Sequence, residues 1–243
     1  MLLSVLIAVY NEEKTLKQIL EKVDQVKLPK NIRKELVIVN DGSTDNTKKI
    51  LKSLLKDKAG FKGVTSIVFH HDTNKGKGAA IKTALSLANG DYLIVQDADL
   101  EYDPQDFIKL LNPVITKKAK VVFGTRLKNL PLRLWGNDKT VLPSHWIANK
   151  VLTKLTNLLY GSSISDMETC YKLFTADVFQ GIDLKAQRFD FEPEITAKIL
   201  RKGFLIHEVE IKTTPRTHKE GKKIKWQDGF AAVWALIKYR FVN

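Results

Sequence analysis

Residues 2–13 read LLSVLIAVYNEE, and this stretch decides the class of fold. Positions 3–10 are apolar or aromatic except for Ser4, a pattern typical of a strand that is covered on both faces. The polar residues at 11–13 then supply a cap and an acidic first turn for a helix. A buried strand followed directly by a helix is the opening unit of an alternating α/β chain.

The same order continues through the first half of the chain. Further strands are predicted at Glu35–Asn40, Val64–Phe69, Asp91–Gln96 and Lys120–Phe123. The helices between them are one with Ile50, Leu51, Leu54 and Leu55 on its inner face, one at Gly78–Ala88 and one at Pro104–Leu111. This order predicts an α/β fold with a Rossmann-like, mostly parallel sheet flanked by helices, and ligands at the carboxyl ends of its strands.

The second half differs, because its clearest signals are two amphipathic helices. Ser144–Tyr160 carries on one side Ile147, Val151, Leu155 and Leu158. Trp226–Phe241 carries on a shared face Trp226, Phe230, Val233, Trp234, Ile237 and Phe241. We predict a single domain over residues 1–243, with a first half at 1–125 and a basic, helical second half at 126–243.

Composition excludes several classes of protein. The longest apolar run, Phe230–Ile237, has eight residues, whereas a membrane-spanning helix needs roughly 20. The apolar start lacks the basic region and the small-residue cleavage site of a secretory signal peptide. The single cysteine, Cys170, excludes an internal disulfide framework. We therefore expect a cytoplasmic protein with neither a membrane span nor a signal peptide.

The net charge of +13 is concentrated in two segments. Residues 115–160 contain nine Lys or Arg and one acid, and residues 198–243 contain eleven and four. The rest of the chain contains 20 basic and 22 acidic residues. Solubility alone does not explain this clustering, whereas binding of phosphates on a substrate, a nucleic acid or an anionic lipid does.

Polar and acidic residues follow three of the predicted strands. These residues are Tyr10-Asn11-Glu12, Asp41-Gly42-Ser43 and Asp97-Ala98-Asp99-Leu100-Glu101. Two carboxylates on one turn suit Mg²⁺ or Mn²⁺, which bind carboxylate oxygens together with substrate phosphates. The structural alternative is that Asp99 caps a turn before Pro104.

In order and spacing these segments resemble the family 2 glycosyltransferases of the GT-A fold. Asp41 lies 31 residues after Tyr10 and 56 residues before Asp97. Five segments resemble, more narrowly, the dolichyl-phosphate mannose synthase and polyprenyl-phosphate glycosyltransferase branch: Asp97–Pro104, Gly124–Arg126, Asp166–Lys172, Phe191–Ile195 and Arg216–Lys223. The resemblance implies that the first half binds a nucleotide sugar and the second half the acceptor.

The resemblance also implies roles for individual residues. Those implied to bind the GDP- or UDP-linked donor are Ala8, Tyr10, Asn11, Glu12, Asp41, Lys77, Asp97 and Ala98. Asp97 and Asp99 are implied to be catalytic and to bind Mg²⁺ or Mn²⁺, with Glu101 as a third candidate ligand. Those implied to bind the acceptor phosphate are Arg126, which is also implied to be catalytic, Arg216, Lys222 and Lys223. A guanidinium suits that task because it binds phosphate oxygens in pairs. His145, beside Trp146 at the start of the first amphipathic helix, is a further acceptor-binding candidate from its position, and it equally suits a polar cap.

The implied reaction is inverting transfer of a hexose, from a donor of the GDP-mannose or UDP-glucose type, to a polyprenyl or dolichyl phosphate. A phosphate monoester has a second pKa near ~6 and is a dianion at neutral pH, so it needs no general base. One alternative is a family 2 enzyme acting on a sugar hydroxyl, with Asp166, Glu168 or Glu192 as base. Asp166 and Glu168 equally suit the anchoring of basic side chains.

A nucleic-acid-binding module is the alternative outside enzymes. The Asp97/Asp99 pair argues against it, since carboxylates repel a phosphate backbone. For a chain without a predicted span, we expect peripheral contact between the two amphipathic helices and the cytoplasmic face of a membrane. The alternative is that their apolar stripes pack into the core. We expect structural roles for Cys170 and for the adjacent His70 and His71, which point to opposite faces of a strand.

Overall fold

The computed structural model describes residues 1–56, 64–128, 140, 143–215 and 226–242, without the side chains of Leu55, Lys56 and Trp226. Its strands are β1 (Leu2–Val9), β2 (Arg33–Asp41), β3 (Thr65–His71), β4 (Tyr92–Asp97), β5 (Val121–Thr125), β6 (Lys172–Thr175) and β7 (Ile206–Glu210). Its α-helices are α1 (Leu16–Gln25), α2 (Thr47–Lys56), α3 (Lys77–Leu87), α4 (Phe107–Ile115), α5 (Pro143–Tyr160), α6 (Phe191–Arg201) and α7 (Trp226–Phe241). Short 3₁₀ turns lie at Pro104–Asp106 and Ala176–Phe179.

In the described part of the chain, the strands form one seven-stranded sheet in the order β3-β2-β1-β4-β6-β5-β7. All neighbouring pairs are parallel except those of β6, which runs antiparallel to both β4 and β5. The predicted α/β class and mostly parallel sheet are therefore confirmed. The central strands β1, β2 and β4 are the most apolar stretches, because both of their faces are buried.

Three elements of the second half were not predicted as such: β6, α6 and β7. β6 has only four residues and begins with a lysine, and β7 has only two apolar residues among five, which do not alternate with the polar ones. Such short patterns carry little periodicity. The predicted helix at Pro104–Leu111 begins instead with the 3₁₀ turn, and α4 follows it from Phe107 to Ile115.

Two clusters of buried apolar side chains hold the elements together. The larger one joins both faces of the sheet to α1, α3 and α4, and includes the predicted inner-face residue Leu51 of α2. Ile50 and Leu54 are half-buried, and the side chain of Leu55 lies outside the described part. The smaller cluster joins α5, α6 and α7 through Leu152, Ala197, Ala232 and Leu236. The second half thus has its own packing centre beside the sheet.

The apolar stripes of α5 and α7 face outward at most positions, although Leu155 and Val233 are half-buried against the smaller cluster. On α7, Phe230, Trp234 and Phe241 are 69%, 66% and 75% exposed, whereas Ala232, Ala235, Leu236 and Tyr239 make the inward contacts. On α5, the exposed apolar residues are Ile147, Val151 and Leu158. Packing of the stripes into the core, the alternative considered above, is therefore wrong for these side chains. Within the described ranges, none of the helices has the length and apolar composition that crossing a bilayer requires.

The turn after β2 depends on a glycine whose replacement we can predict. Gly42 has φ +66°, and a Cβ there would lie 2.4 Å from the backbone carbon of Thr73. Gly161 has φ +64° with no atom of the described chain within 4 Å of such a Cβ. Gly161→Ala should therefore lower the free energy of unfolding by the left-handed strain alone, about 1–2 kcal/mol. Gly42→Ala should cost about 1–3 kcal/mol more, because the Thr73–Asn74 backbone must move. Urea denaturation of both variants measures the difference, and equal losses would contradict the predicted contact.

Candidate active site

The parallel register of the central strands brings the predicted site residues to one edge of the sheet. Ala8 in β1 pairs with Val39 in β2 on one side and with Asp97 in β4 on the other. The segments that leave these strands begin at Tyr10, Asp41 and Asp97, so they lie side by side. This edge is where a parallel sheet places its ligands.

Asp41 holds the loop that precedes α3. Its carboxylate accepts hydrogen bonds from the backbone N–H groups of Lys75 (2.9 Å) and Gly76 (2.8 Å), the Asn74 amide (3.0 Å) and His71 Nδ1 (2.7 Å). These four bonds fill the acceptor sites of a carboxylate. Asp41 is 2% exposed. It therefore positions the 74–76 loop, and the donor contact implied for it remains a prediction.

The residues after β1 are joined to the residues after β2 by reciprocal bonds. The Asn11 side chain accepts from the Thr44 N–H at 2.9 Å, and the Asn11 N–H donates to Ser43 Oγ at 3.0 Å. The buried Glu12 donates its N–H to Thr47 Oγ1. Asn11 itself has φ 49°, a left-handed conformation that asparagine tolerates. The two turns thus form one rigid rim beside the half-buried Tyr10.

Lys77 joins the acidic loop after β4 to the start of α6. Its ammonium lies 2.9 Å from Asp97 Oδ1 and 2.7 Å from Glu192 Oε1. Burial alone would lower the pKa of Lys77, but the charges of Asp97 and Glu192 raise it well above its usual value. The implied donor contact of Lys77 remains a prediction, since the structure gives the ammonium two protein partners.

A glycine permits this contact between the halves. Gly76 has φ +97°, and a Cβ there would lie 2.3 Å from the carbonyl oxygen of Gln187. The 185–190 segment can therefore approach the start of α3 only because residue 76 has no side chain. Arg188 and Gln187 also line a cavity of about 440 Å³, together with Asn74, Lys75 and Ala79. Asp41 fixes two of those lining residues.

The loop of Asp97, Asp99 and Glu101 has the chemistry of a divalent-metal site. Asp99 Oδ1 accepts the N–H of Glu101 at 3.0 Å, and Leu100 between them has φ 65°. Asp99 and Glu101 are half-buried and Ala98 is buried. Among the described residues, no group of three or more His, Cys, Asp or Glu forms a complete metal site. A pair of carboxylates nevertheless fits Mg²⁺ or Mn²⁺, which take one or two carboxylates and complete their shell with phosphate oxygens and water.

Arg126 follows β5 and is held by a buried carboxylate. Its Nε and Nη2 lie 2.8 Å from the two oxygens of Asp166, and Nη1 donates to the Tyr102 hydroxyl at 3.0 Å. Burial alone would raise the pKa of Asp166, but the charge and hydrogen bonds of Arg126 hold it below its usual value. Asp166 therefore anchors the guanidinium, which is one of the two roles left open for it.

Lys172 is a buried residue near Asp166 and Glu168, and its burial could not be predicted from the sequence. The side chain is fully buried, donates to the carbonyls of Met167 and Thr169, and lies 4.4 Å from the centre of the Phe123 ring. These contacts shape the 166–172 loop that carries Asp166 and Glu168. The sequence indicated it only by its place at the end of the Asp166–Lys172 segment, because residue type alone does not show whether a lysine is buried.

The remaining predicted residues are placed less completely. His145 is half-buried in the first turn of α5, and its phosphate-binding role remains a prediction. Arg216, Lys222 and Lys223 lie outside the described residues. Cys170 is buried, as predicted, and His71 has a structural partner in Asp41.

Comparison with known proteins identifies the family. The glycosyl transferase family 2 profile matches residues 4–182. A hexosyltransferase of low-salt glycan biosynthesis, Agl6 of Haloferax volcanii, is 30% identical over 99% of this chain and 53% of its own length. The UDP-N-acetylglucosamine–dolichyl-phosphate N-acetylglucosaminyltransferase of Methanococcus voltae is 27% identical, over 97% of this chain and 95% of its own. The chain thus spans about half of the first relative and nearly all of the second.

Solved structures share the fold. Glucosyl-3-phosphoglycerate synthase of Mycobacterium tuberculosis in complex with UDP superposes with a TM-score of 0.71, at 16% identity over 99% of this chain and 80% of that one. The same enzyme has been crystallised with Mn²⁺, UDP and glucosyl-3-phosphoglycerate (TM-score 0.69, 14% identity, 99% of this chain and 80% of that one). TarS of S. aureus with UDP-GlcNAc gives 0.62 at 18% identity over 98% of this chain and 66% of that one. The fold is therefore GT-A, as the resemblance implied.

Proposed function

This chain belongs to glycosyl transferase family 2, and we propose that it transfers a hexose, with inversion, from a UDP- or GDP-linked sugar to a polyprenyl or dolichyl phosphate. Relatives support the acceptor class: the Methanococcus voltae protein is named for dolichyl phosphate, and a Rhizobium johnstonii relative, 26% identical over 82% of this chain and 55% of its own length, is a dodecaprenyl-phosphate galacturonate synthase. Structural neighbours that bind UDP support the donor class.

The observation that carries the proposal is a short chain of contacts from a carboxylate loop to a guanidinium. Asp97 binds Lys77, whose ammonium also lies 3.7 Å from Cys170 Sγ. The Cys170 N–H donates to the Tyr102 hydroxyl at 3.0 Å, and Tyr102 accepts from Arg126. Acidic groups suited to a metal-bound diphosphate thus stand beside a cation suited to a second phosphate. A transferase that joins two phosphate-bearing substrates needs this juxtaposition.

On the donor side, we propose that the rim of Tyr10, Asn11 and Glu12 and the 74–76 loop bind the nucleotide. Asp97 and Asp99 would hold Mg²⁺ or Mn²⁺, with Glu101 as a further candidate ligand. When bound, such an ion neutralises charge on the leaving diphosphate. Lys77 orients Asp97 through the ion pair, because the neighbouring acids keep the pKa of its ammonium well above the usual value.

On the acceptor side, Arg126 would bind the phosphate that attacks the anomeric carbon. Asp166 binds one edge of the guanidinium through Nε and Nη2, so its orientation is set before the substrate arrives. The attacking phosphate oxygen already carries negative charge near neutral pH, and the reaction therefore needs no protein base. This also suits Asp166, whose two oxygens are committed to Arg126.

We also propose that the exposed stripes of α5 and α7 lie on the cytoplasmic face of a membrane, where a polyprenyl phosphate would be found. Phe230, Trp234 and Phe241 are large apolar side chains that water does not favour, and tryptophan prefers the membrane interface. Lys238 and Arg240 follow on the same helix, and basic side chains add about 1 kcal/mol each near anionic lipid. Contact would be peripheral.

The acceptor class is tested with a panel of UDP- and GDP-sugars, each with a short polyprenyl phosphate, the free polyprenol or a soluble sugar. We expect transfer to the polyprenyl phosphate only, with a rate that falls below about pH 6 as the phosphate becomes protonated. Product is measured by mass spectrometry. Transfer to the polyprenol or the sugar, without transfer to the lipid phosphate, would establish the hydroxyl-acceptor alternative.

The metal proposal predicts that EDTA abolishes transfer and that Mg²⁺ or Mn²⁺ restores it. Asp99→Asn should lower kcat about 100-fold or more, because a group that stabilises the leaving charge is removed. Asp103→Asn is the matched control: Asp103 lies in the same loop and caps the turn at Gln105, a role that asparagine also fills. Full activity in EDTA would exclude the metal.

Membrane contact is tested by co-sedimentation with vesicles rich in phosphatidylserine. The protein should pellet at low salt and less at high salt. Replacing Phe230 and Trp234 together by serine should release it, as should Lys222→Glu combined with Lys223→Glu. Phe69→Ser is the control, since Phe69 is an aromatic ring 43% exposed on the edge strand β3. Equal release by the control, or a protein that stays in solution at low salt, would contradict the proposal.

A further inference from the structure

One carboxyl oxygen beside Arg126 has no hydrogen-bond partner within the described residues. It is Oε1 of Glu168, an atom that is buried although the residue as a whole is half-buried. Glu168 lies on the loop between Asp166, which binds Arg126, and Lys172, which donates to the loop carbonyls. Burying a carboxyl oxygen without a hydrogen-bond donor costs more free energy when the group is an ionised carboxylate than when it is a neutral acid, because the carboxylate needs donors on both oxygens.

Among the described residues, each cation near Glu168 is already bound by another group. Lys77 is shared by Asp97 and Glu192, Arg126 is paired with Asp166, and the Lys172 ammonium is bound by carbonyls. In the part of the chain that the structure describes, the charges that act on Glu168 are those of two cations, Arg126 and Lys172, and of two carboxyl groups, Asp166 and Glu192, so with Glu168 itself three carboxyl groups face two cations. One proton on a carboxyl group makes this set of charges neutral, and Glu168 is the carboxyl group with an unpaired oxygen.

The electrostatics agree with this assignment. Burial, and then the negative charge of Glu192, raise the pKa of Glu168 to about 7, although Lys172 and Arg126 act in the opposite direction. Burial lowers the pKa of Lys172 to about 8, and the neighbouring acids oppose that shift. The charged groups that shift the pKa of Glu168 therefore lie on four parts of the chain. They are Glu192 at the start of α6, Lys172 in β6, Arg126 after β5, and Asp166 in the same loop.

We propose that Glu168 binds the acceptor as a neutral carboxylic acid and donates a hydrogen bond to the acceptor phosphate beside Arg126. This inference rests on the proposed function and adds the group that recognises the phosphate. A neutral acid gives the dianion a donor without adding charge, whereas ionised Glu168 would repel it. The proton stays on Glu168 throughout: a phosphate oxygen forms the bond to the anomeric carbon, and the nucleoside diphosphate leaves with the electron pair.

The inference separates Glu168 from a general base. A base must be ionised and must take a proton, and a phosphate dianion has none to give. Ionisation of Glu168 should therefore lower acceptor binding. The wild-type kcat/KM for the acceptor should rise with pH as the phosphate ionises at ~6. It should fall again at higher pH as Glu168 ionises, because the pKa of Glu168 is about 7.

The test compares the pH dependence of kcat/KM for a short polyprenyl phosphate in wild type and two Glu168 variants. Glu168→Gln keeps a hydrogen-bond donor that does not ionise, so the fall above neutral pH should disappear while activity near the optimum persists. Glu168→Ala should raise the KM for the acceptor about tenfold or more at the optimum, leaving the KM for the donor unchanged. Thr169→Val is the control: Thr169 is the buried neighbour whose hydroxyl also lacks a partner in the described structure, and its replacement should leave the profile unchanged.

A second variant keeps the proposal testable if Glu168→Gln does not fold. Glu192→Gln removes the negative charge that raises the pKa of Glu168, so the alkaline fall should shift to lower pH. If kcat/KM of Glu168→Gln falls above neutral pH as it does in wild type, the proposal is overturned. If Glu168→Gln does not fold, an unchanged fall in Glu192→Gln overturns it instead. Loss of kcat in Glu168→Gln at every pH, with acceptor KM unchanged, would make Glu168 a base instead. If wild type glycosylates no polyprenyl phosphate with any donor, it is the proposed function that fails.

Discussion

The buried ammonium of Lys77 connects the two halves of this enzyme. Its partners are Asp97, at the end of β4, and Glu192, in the first turn of α6. Breaking a buried ion pair by removing one partner costs about 3–5 kcal/mol, so the geometry between these elements is strongly held. Gly76 and Gly78 let the 185–190 segment approach the start of α3 closely enough for the pair to form. The donor edge and the acceptor loops are therefore not independent surfaces.

The sequence predicted the strands that contain continuous apolar runs and missed β6 and α6, although both of these are largely buried. Strands β1, β2 and β4 are long apolar runs, and their parallel order follows from the helices between them. The antiparallel β6 lies inside the sheet, between β4 and β5, but its four residues are too few to show the alternation that identifies a strand. The acidic loop was predicted because its spacing is visible in one dimension. The contacts of Lys77 and Lys172 were not predicted, because Asp97 lies 20 residues from Lys77 and because the partners of Lys172 are backbone carbonyls, which every residue carries.

On the amphipathic helices, the spacing of apolar residues identified an apolar face but not what that face contacts. The spacing on α7 identified one apolar face, but the helix has a second one of small residues, and that face packs against α6. Alanines at 232 and 235 let α7 lie close to the domain, so the large side chains of Phe230 and Trp234 are left outside. A helix that is apolar on both sides needs a second apolar neighbour. The membrane proposed for that place would supply one.

Charge balance at the site limits how it can work. Among the described residues, the charged groups around Glu168 are two cations, Arg126 and Lys172, and three carboxyl groups including its own, so they offer no excess positive charge to the two proposed phosphate-bearing substrates. An acceptor phosphate alone brings about −1.5 to −2 at neutral pH. Compensation must therefore come from elsewhere, and the sequence offers two sources: a divalent cation on Asp97 and Asp99, and the basic residues Arg216, Lys222 and Lys223. In the proposed mechanism both sources act on substrates rather than on the fold, so the ion pairs of Lys77 and Arg126 can keep the carboxylates of the site paired until substrates arrive. The positive excess of the second half is then the charge proposed to act on the substrate phosphates.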